Sequence, residues 1–286
     1  MEQLVLSADV GGSHITTVMM DVENRIEVPD TWFRTRLDST ASAQEIIDNW
    51  SDAINTSIQL SNATPSKICL AMPGPMDYKK GISLIQSQDK YRELYNLNLK
   101  DELDERLNFN PKNIHFSNDA ACFLKGELFC GSLSGFSEAI GLTLGTGLGT
   151  SHIEKGIAHD SNLWKMPFLD GIAEDYISTR WFTKRFEELT GKSVKDVKEI
   201  IDEHENSDHF KALFSEFSSN LAKFIYRFAQ SKKPLAAVIG GNIANAETYF
   251  LADTRKHLFE MMGYSLPVKK SILGEKSILW GAATSH

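Results

Sequence analysis

The sequence predicts an α/β fold made of two related halves. Runs typical of strands alternate with helical runs along the chain. A glycine-rich turn between two apolar runs occurs twice, as Asp9-Val10-Gly11-Gly12-Ser13 and as Gly145-Thr146-Gly147-Leu148-Gly149-Thr150. The triplet Ser-His-Ile recurs at 13–15 and 151–153. With 286 residues, of which 42% are hydrophobic, the chain is long enough to build two such halves.

The first half is predicted to alternate strands with helices. One run has Ile46, Trp50 and Ile54 at helical spacing, and a buried strand ends in the rigid turn Pro73-Gly74-Pro75. The predicted elements are strands over 4–8 and 15–22, a helix over 41–60, a strand over 67–72, a helix over 100–107, a strand over 114–117 and a helix over 120–129.

The second half is predicted to repeat this pattern around a long helical region that begins near residue 172. An apolar stripe from Phe210 to Phe228 is typical of a core helix. No low-complexity linker separates the halves, so we expect packed lobes over 1–117, completed by a terminal helix over 275–286, and over 118–274. The other predicted strands cover 139–144, 150–153 and 236–239, the last ending in Gly240-Gly241-Asn242.

Composition limits the possible partners and location of the protein. A formal net charge of −8 argues against nucleic acid as a main partner, because binding of that kind needs a broad basic surface. The chain has no basic-then-apolar leader, and its apolar runs are shorter than the ~20 residues that span a bilayer. We therefore expect a cytoplasmic protein without a membrane partner. Its cysteines lack metal-ligand spacing and are expected to be small buried hydrophobes: Cys69, Cys122 and Cys130.

Several polar or glycine residues follow predicted strands, where α/β proteins gather their functional groups. Asp9 ends an otherwise apolar strand, so its carboxylate needs a metal, a cation or hydrogen-bond donors as a partner. A glycine turn lets backbone N–H groups approach a polyanion closely. Either glycine turn alone is equally typical of an ordinary hairpin, but two copies together favour a pair of phosphate-binding loops.

Five motifs, in order and spacing, resemble the ROK family of sugar kinases over nearly the whole chain. The resemblance implies the two-lobed actin-like ATPase (ribonuclease H-like) fold, with ATP and sugar bound in the cleft between the lobes, and a homodimer. The motifs are Asp9-Val10-Gly11-Gly12-Ser13, Pro73-Gly74-Pro75, Asn118-Asp119-Ala120-Ala121 with Gly126-Glu127, Gly145-Thr146-Gly147-Leu148-Gly149, and Gly240-Gly241-Asn242.

The resemblance also implies an activity, the ATP-dependent phosphorylation of a hydroxyl of glucose or of a related hexose or amino sugar, with Asp119 as general base. Asp9 would hold Mg²⁺ through water. The nucleotide contacts implied are Asp9, Gly11, Gly12, Ser13, Gly145, Thr146, Gly147 and Gly149 for the phosphates, and Gly240, Gly241 and Asn242 for the adenosine. The sugar contacts implied are Asn118, Glu174, Gly74 and Ser87.

Two of these roles have a structural alternative. Asp119 precedes a predicted helix and can also be its N-cap, and Glu174 can be a first-turn acid favoured by the helix dipole. A non-catalytic sugar sensor or a pseudokinase of the same fold is the alternative function. Related repressors carry a DNA-binding helix-turn-helix ahead of these lobes, which is not expected here because the first strand begins at Leu4.

The chain departs from the family pattern after the second glycine turn. The Cys/His zinc motif and the sugar-gripping Glu-x-Gly-His are both missing, so no zinc is expected. Ser161-Asn162-Leu163-Trp164-Lys165-Met166-Pro167 stands in that place. Asn162 and Lys165 are candidate replacements for the missing sugar ligands, whereas Trp164 is either a stacking platform or a core residue.

Overall fold

A computed structural model describes residues 4–86, 89–205 and 207–285. The chain divides into two compact units, the described parts of Met1–Cys130 with Glu275–His286, and Gly131–Gly274. The first unit thus extends beyond the boundary that we expected after residue 117. The helix that begins at Asp119 belongs wholly to the first unit.

The first unit is built on a mixed sheet. Strand β1 pairs antiparallel with β2 and parallel with β5, and β5 pairs parallel with β8. The sheet order is β3-β2-β1-β5-β8, with β4 also paired to β2. The elements are β1 Leu4–Val10, β2 His14–Asp21, β3 Ile26–Glu27, β4 Phe33–Arg36, α1 Ala43–Ser61, β5 Lys67–Met72, β6 Met76–Asp77, β7 Ile82–Ser83, α2 Leu99–Leu107, β8 Ile114–Asn118 and α3 Asp119–Phe129.

The second unit repeats this arrangement. Strand β9 pairs antiparallel with β10 and parallel with β14, and β14 pairs parallel with β15, in the order β11-β10-β9-β14-β15. The repeated hairpin followed by parallel strands matches the duplication expected from the sequence. The elements are β9 Ala139–Leu144, β10 Leu148–Glu154, β11 Ile157–Asp160, β12 Pro167–Phe168, β13 Gly171–Ile172, α4 Thr179–Thr190, α5 Val197–His204, α6 Asp208–Lys232, β14 Ala236–Gly240, α7 Leu251–Met262 and β15 Val268–Lys270.

Helix α8 (Lys276–Thr284) returns to the first unit and packs closely on α3. Two glycines make this approach possible. A Cβ on Gly126 would collide with the backbone of Ser277, and a Cβ on Gly281 would collide with the backbone of Cys122. The close α3–α8 contact explains why α3 lies in the first unit.

Each unit has its own apolar core. Trp50, on α1, is buried in the first core, and its ring lies 5.7 Å from that of Tyr91. In the second unit, α6 buries the phenylalanine stripe as its spacing predicts, and the rings of Phe182 and Phe217 lie 4.6 Å apart. Within the described residues, none of the helices combines the length and apolar character that a membrane span requires.

Candidate active site

The first unit gathers chemically active residues where three neighbouring strands end. Asp9 lies near the end of β1 and is paired with Ala71 of β5, while Met72 of β5 is paired with Asn118 of β8. Strand β5 leads directly into the Pro73-Gly74-Pro75 turn. The strand register therefore puts Asp9, Gly74 and the Asn118-Asp119 pair at one edge of this sheet.

Asp9 is an acid held in an unfavourable environment. Burial raises the pKa of its carboxyl from 3.8 to about 7, and repulsion from Asp119 and Glu275 adds to the increase. Arg34 and Lys90 oppose this increase with their positive charges. A carboxylate of this kind is stabilised by an added cation, which fits the metal-binding role expected for Asp9.

Asp119 is the first residue of α3, and Asn118 is the helix N-cap. The Oδ1 atom of Asn118 accepts a hydrogen bond of 3.0 Å from the Ala121 N–H. The N-cap role that we allowed for Asp119 thus belongs to Asn118, because α3 begins at Asp119, one residue earlier than that role requires. Burial raises the pKa of Asp119, while the Ala120 N–H, at 2.8 Å, and the charge of Lys90 oppose the increase.

The first glycine loop (residues 9–13) closes the hairpin between β1 and β2. The Gly11 N–H donates to the His14 carbonyl at 2.9 Å, and the Ser13 carbonyl accepts from the Leu37 N–H at 3.0 Å. The Ser13 hydroxyl and His14 Nδ1 share a hydrogen bond of 2.9 Å. Gly12 and Ser13 are exposed, so their backbone is accessible to a ligand.

Two residues that sequence reasoning missed hold this loop. The buried Tyr91 donates its hydroxyl hydrogen to the Gly11 carbonyl. The Lys90 side chain lies over Gly12, where a Cβ would be 3.5 Å from its Cδ atom. Both residues come from an irregular polar stretch whose sequence carried no signal for such a role.

Gly74 contacts Tyr78, which links it to Asn118. A Cβ on Gly74 would lie 2.9 Å from the Tyr78 hydroxyl oxygen, so the position has no room for a side chain. That hydroxyl accepts a hydrogen bond of 3.2 Å from Asn118 Nδ2 and donates to the Met72 carbonyl at 3.1 Å. Ser87, the remaining sugar contact expected from this unit, lies outside the described residues.

The second glycine loop (residues 145–149) connects β9 to β10 in the second unit. The Gly145 N–H donates to the Gly147 carbonyl at 3.0 Å, and Gly149 pairs with Thr143 in the ladder. Thr146 is exposed at the tip of the loop. The exposed part of this hairpin is therefore its tip at Thr146, while its glycines are half-buried.

The Glu174 side chain contacts the second glycine loop. It occupies a 3₁₀ turn, Ala173–Asp175, rather than the start of an α-helix, because α4 begins only at Thr179. One carboxylate oxygen accepts a hydrogen bond of 2.9 Å from the Leu148 N–H, and the other accepts from Arg180. Sequence reasoning identified neither this contact nor Arg180.

Gly240 ends β14, and Gly241 and Asn242 follow it, at the edge of the sheet that also carries the second glycine loop. Gly240 pairs with Thr143 of the neighbouring β9. Gly241 has a φ of +83°, and a Cβ there would collide with the backbone of Leu144. Only glycine allows this turn to approach the end of β9 so closely. Asn242 is exposed at the start of a 3₁₀ turn.

The segment over 161–167, which contains the candidate sugar ligands Asn162 and Lys165, includes a short 3₁₀ turn whose tip is exposed. Trp164 keeps 41% of its accessible surface, which makes it a surface residue rather than a core residue. Its indole N–H donates to Asn162 Oδ1 at 2.7 Å, and the Lys165 ammonium lies 5.9 Å from the centre of its ring. Asn162 therefore holds the indole of Trp164 through a hydrogen bond, and Lys165 lies near the same ring.

Among residues 4–86, 89–205 and 207–285, no group of three or more His, Cys, Asp or Glu side chains is arranged to hold a metal ion. The donors best suited to Mg²⁺ are oxygens, and a Mg²⁺ ion usually keeps several waters and takes only one or two carboxylates. The Asp9 carboxylate beside Asp119 fits this kind of partial, water-completed site.

Comparison with known proteins agrees with this architecture. The N-acetyl-D-glucosamine kinase of Mannheimia succiniciproducens is 24% identical over 314 residues, covering 96% of this chain and 96% of its own length. The glucokinase of Streptomyces griseus, solved in complex with glucose and AMPPNP, superimposes with a TM-score of 0.75 at 20% identity, covering 98% of each chain.

A regulator has the same fold as these enzymes. A ROK family transcriptional regulator, a homologue of the E. coli MLC protein, superimposes with a TM-score of 0.80 at 15% identity, covering 99% of this chain and 77% of the regulator. The two-lobed actin-like ATPase fold expected from the sequence is thereby confirmed. The sequence model of the ROK family matches residues 5–162, more than half of the chain, and the chain accordingly belongs to the ROK family.

Proposed function

We propose that this protein is a kinase that transfers the γ-phosphoryl group of ATP to a hydroxyl of a hexose or an N-acetylhexosamine. The observation that supports this most strongly is the pair of interacting carboxylates, Asp9 and Asp119, at the strand edge that also carries the first glycine loop. Phosphoryl transfer requires mainly positioning, neutralisation of phosphate charge and a carboxylate near the attacking hydroxyl. In this proposal Asp119 supplies the carboxylate, the glycine loop supplies positioning, and a Mg²⁺ ion held by Asp9 would supply charge neutralisation.

Asp119 acts in this proposal as the general base. It accepts the proton of the sugar hydroxyl as the hydroxyl oxygen attacks the γ-phosphorus. Burial raises its pKa, which strengthens it as a proton acceptor, and the nearby charge of Lys90 favours the ionised form that a base requires. Its position at the start of α3, fixed by the Asn118 cap, keeps the carboxylate in one place.

The two glycine loops bind the phosphates of the donor. Their backbone N–H groups can approach phosphate oxygens closely because glycine carries no side chain. Gly240, Gly241 and Asn242 contact the adenosine in this proposal. Asp9 would hold Mg²⁺ through water, and the ion would supply charge neutralisation on the donor phosphates. The positive charge of the ion would also relieve the electrostatic repulsion between the Asp9 and Asp119 carboxylates.

The acceptor is proposed to be a hexose or its N-acetylated amine derivative. The relative from Mannheimia succiniciproducens acts on N-acetyl-D-glucosamine, and the neighbour from Streptomyces griseus was solved with glucose. In this chain Asn118, Gly74 and Ser87 are the proposed sugar contacts. Both carboxylate oxygens of Glu174, the fourth contact that the resemblance implies, already accept hydrogen bonds from the Leu148 N–H and from Arg180, so we assign Glu174 to the second glycine loop instead. The exposed Trp164 offers a flat apolar surface for one face of a sugar ring.

The test is an ADP-release assay with Mg-ATP and a panel of hexoses, N-acetylhexosamines and polyols, run on the wild type and on Asp119→Asn. We expect at least one hexose or N-acetylhexosamine to stimulate ADP release. Asp119→Asn should lower kcat by at least ~10²-fold, because it removes the proton acceptor and keeps the shape of the side chain. Asp52→Asn, on an exposed part of α1, is the matched control and should leave kcat unchanged.

Binding measurements on the same proteins separate the alternatives. Calorimetry should show that Asp119→Asn still binds ATP and sugar. Near-normal turnover by Asp119→Asn would contradict its role as the base. Sugar binding by a wild type that releases no ADP with any member of the panel would contradict the kinase proposal and favour a non-catalytic sugar sensor or a pseudokinase.

A further inference from the structure

The Glu174 carboxylate lies directly on the second glycine loop. Its Oε2 atom accepts the 2.9 Å hydrogen bond from the Leu148 N–H. A Cβ on Gly147 would lie 2.5 Å from the same oxygen, so the carboxylate occupies the space where a side chain would stand on any other residue. Gly147, which carries no side chain, thus leaves room for the Glu174 carboxylate in this position.

The segment that carries Glu174 holds the loop at a second point. Thr179, the first residue of α4, donates its N–H to the Gly145 carbonyl at 2.8 Å. The preceding residue, the buried Ser178, is the N-cap of α4. One short stretch of chain thus contacts the loop near both of its ends, through Glu174 at Leu148 and through Thr179 at Gly145.

Arg180 orients the carboxylate of Glu174 from the solvent side. Its guanidinium pairs with Oε1, the oxygen that does not contact the loop. The Arg180 side chain is 65% exposed, whereas the Glu174 side chain is 18% exposed. Arg180 thus pairs from the solvent side with a carboxylate that lies beside a loop expected to bind phosphate.

We propose that Glu174 is a brace of the second glycine loop and that Arg180 is the positioning residue that holds this brace. This arrangement has a functional consequence, which rests on the proposed function: binding of the phosphate donor depends on Arg180. Without the guanidinium, the Glu174 carboxylate repels the donor phosphates and is free to turn away from Leu148, and both effects weaken donor binding. Acceptor binding depends on Arg180 much less.

The kinetic test compares Arg180→Gln and Arg180→Lys with a matched control, Arg185→Gln. Arg185 lies on the same helix and pairs with Glu188 and Glu216, both at 2.9 Å, away from the loop contacts described above. We expect Arg180→Gln to raise the KM for ATP by about 3- to 5-fold, in the upper part of the range of about 1.4- to 5-fold that loss of an exposed ion pair produces. The KM for sugar should change by less than ~2-fold. Arg180→Lys should recover most of the loss, and Arg185→Gln should change neither constant.

A second measurement needs no enzyme activity. In the ligand-free protein, the Leu148 amide should exchange its hydrogen slowly, because the Glu174 carboxylate accepts from it. Glu174→Ala should accelerate exchange at Leu148 by ~10-fold or more, whereas Glu174→Gln keeps an acceptor and should accelerate it less. Arg180→Gln should lie between the wild type and Glu174→Ala, and Arg185→Gln should match the wild type.

The two measurements fail in different ways. Unchanged exchange at Leu148 in Glu174→Ala and Arg180→Gln would overturn the brace, whatever the activity. A change confined to the sugar KM in Arg180→Gln, or no rescue by lysine, would overturn the dependence of donor binding on Arg180. A wild type that neither binds nucleotide nor phosphorylates sugar would overturn the proposed function and the donor part of this inference together, while the exchange data would still decide the brace.

Discussion

Replacing Asp9 by asparagine should stabilise the fold at neutral pH while abolishing the proposed kinase activity. Burial raises the pKa of Asp9 from 3.8 to about 7, so the folded protein ionises this group at a cost that the unfolded chain does not bear. The stability associated with Asp9 is therefore fully present below pH ~3.8 and is lost as the pH rises through about 7. Asparagine has a similar shape and carries no charge, so it avoids this loss.

The size of the effect follows from the same pKa change. Each unit of pKa difference corresponds to about 1.4 kcal/mol, so the rise from 3.8 to about 7 sets an upper limit of roughly 4 kcal/mol. Asp9 keeps part of its contact with solvent, which screens its charge, and we expect about 2 kcal/mol at pH 8. For a chain of this size that corresponds to a rise in Tm of ~4 °C.

The assay is thermal and urea unfolding, followed by fluorescence of the five tryptophans in buffer free of divalent cations and nucleotide. The difference between Asp9→Asn and the wild type should be well under ~1 kcal/mol at pH 4, grow up to about pH 7 and then level off. Asp52→Asn is again the control and should show no such pH dependence. A variant that is no more stable than the wild type at pH 8, or a difference that does not vary with pH, would refute the reasoning.

Three further changes test the packing and the caps around the site. Gly281→Ala should lower the free energy of unfolding by about 1–3 kcal/mol, because its Cβ meets the Cys122 backbone, and an unchanged urea midpoint would contradict the close α3–α8 contact. Tyr91→Phe removes the hydrogen bond to the Gly11 carbonyl, so we expect a loss of about 1 kcal/mol in urea unfolding and weaker ATP binding by calorimetry. Asn118→Ala should lower the free energy of unfolding by about 1 kcal/mol through loss of the α3 cap. Asn118→Ser should restore stability in thermal unfolding but should not restore the wild-type KM for sugar. Equal KM values for Asn118→Ser and the wild type would argue against a sugar contact.

Local sequence patterns were sufficient to predict the α/β class and the repeated hairpins. Glycine turns between apolar runs mark where β1 and β9 end, because the apolar pattern of each strand stops at the turn. The Asp9 and Asn118-Asp119 positions could likewise be assigned to strand ends, since Asp9 stands at the end of an apolar run and Asn118 follows the short strand pattern of residues 114–117.

Contacts between distant segments could not be predicted in this way. Tyr91 and Lys90 contact the first glycine loop from a polar stretch that has no periodicity. Arg180 pairs with Glu174, six residues earlier, and Glu174 in turn contacts the second glycine loop about 26 residues before it in the chain. For the same reason, the division of the chain after Cys130 differs from the boundary that we expected after residue 117. Gly126 is an unremarkable helix residue in the sequence, and its role becomes apparent only when the backbone of α8 lies against it.

The central claim, that this chain phosphorylates a sugar with Asp119 as base, is tested most directly by identifying the product. Purified wild type would be incubated with Mg-ATP and the sugar that best stimulates ADP release, and the mixture examined by ³¹P NMR and mass spectrometry. We predict a sugar phosphate monoester formed in equal amount to ADP by the wild type, and at least ~10²-fold more slowly by Asp119→Asn. Inorganic phosphate without any sugar phosphate, or equal rates of product formation by the two proteins, would contradict the claim.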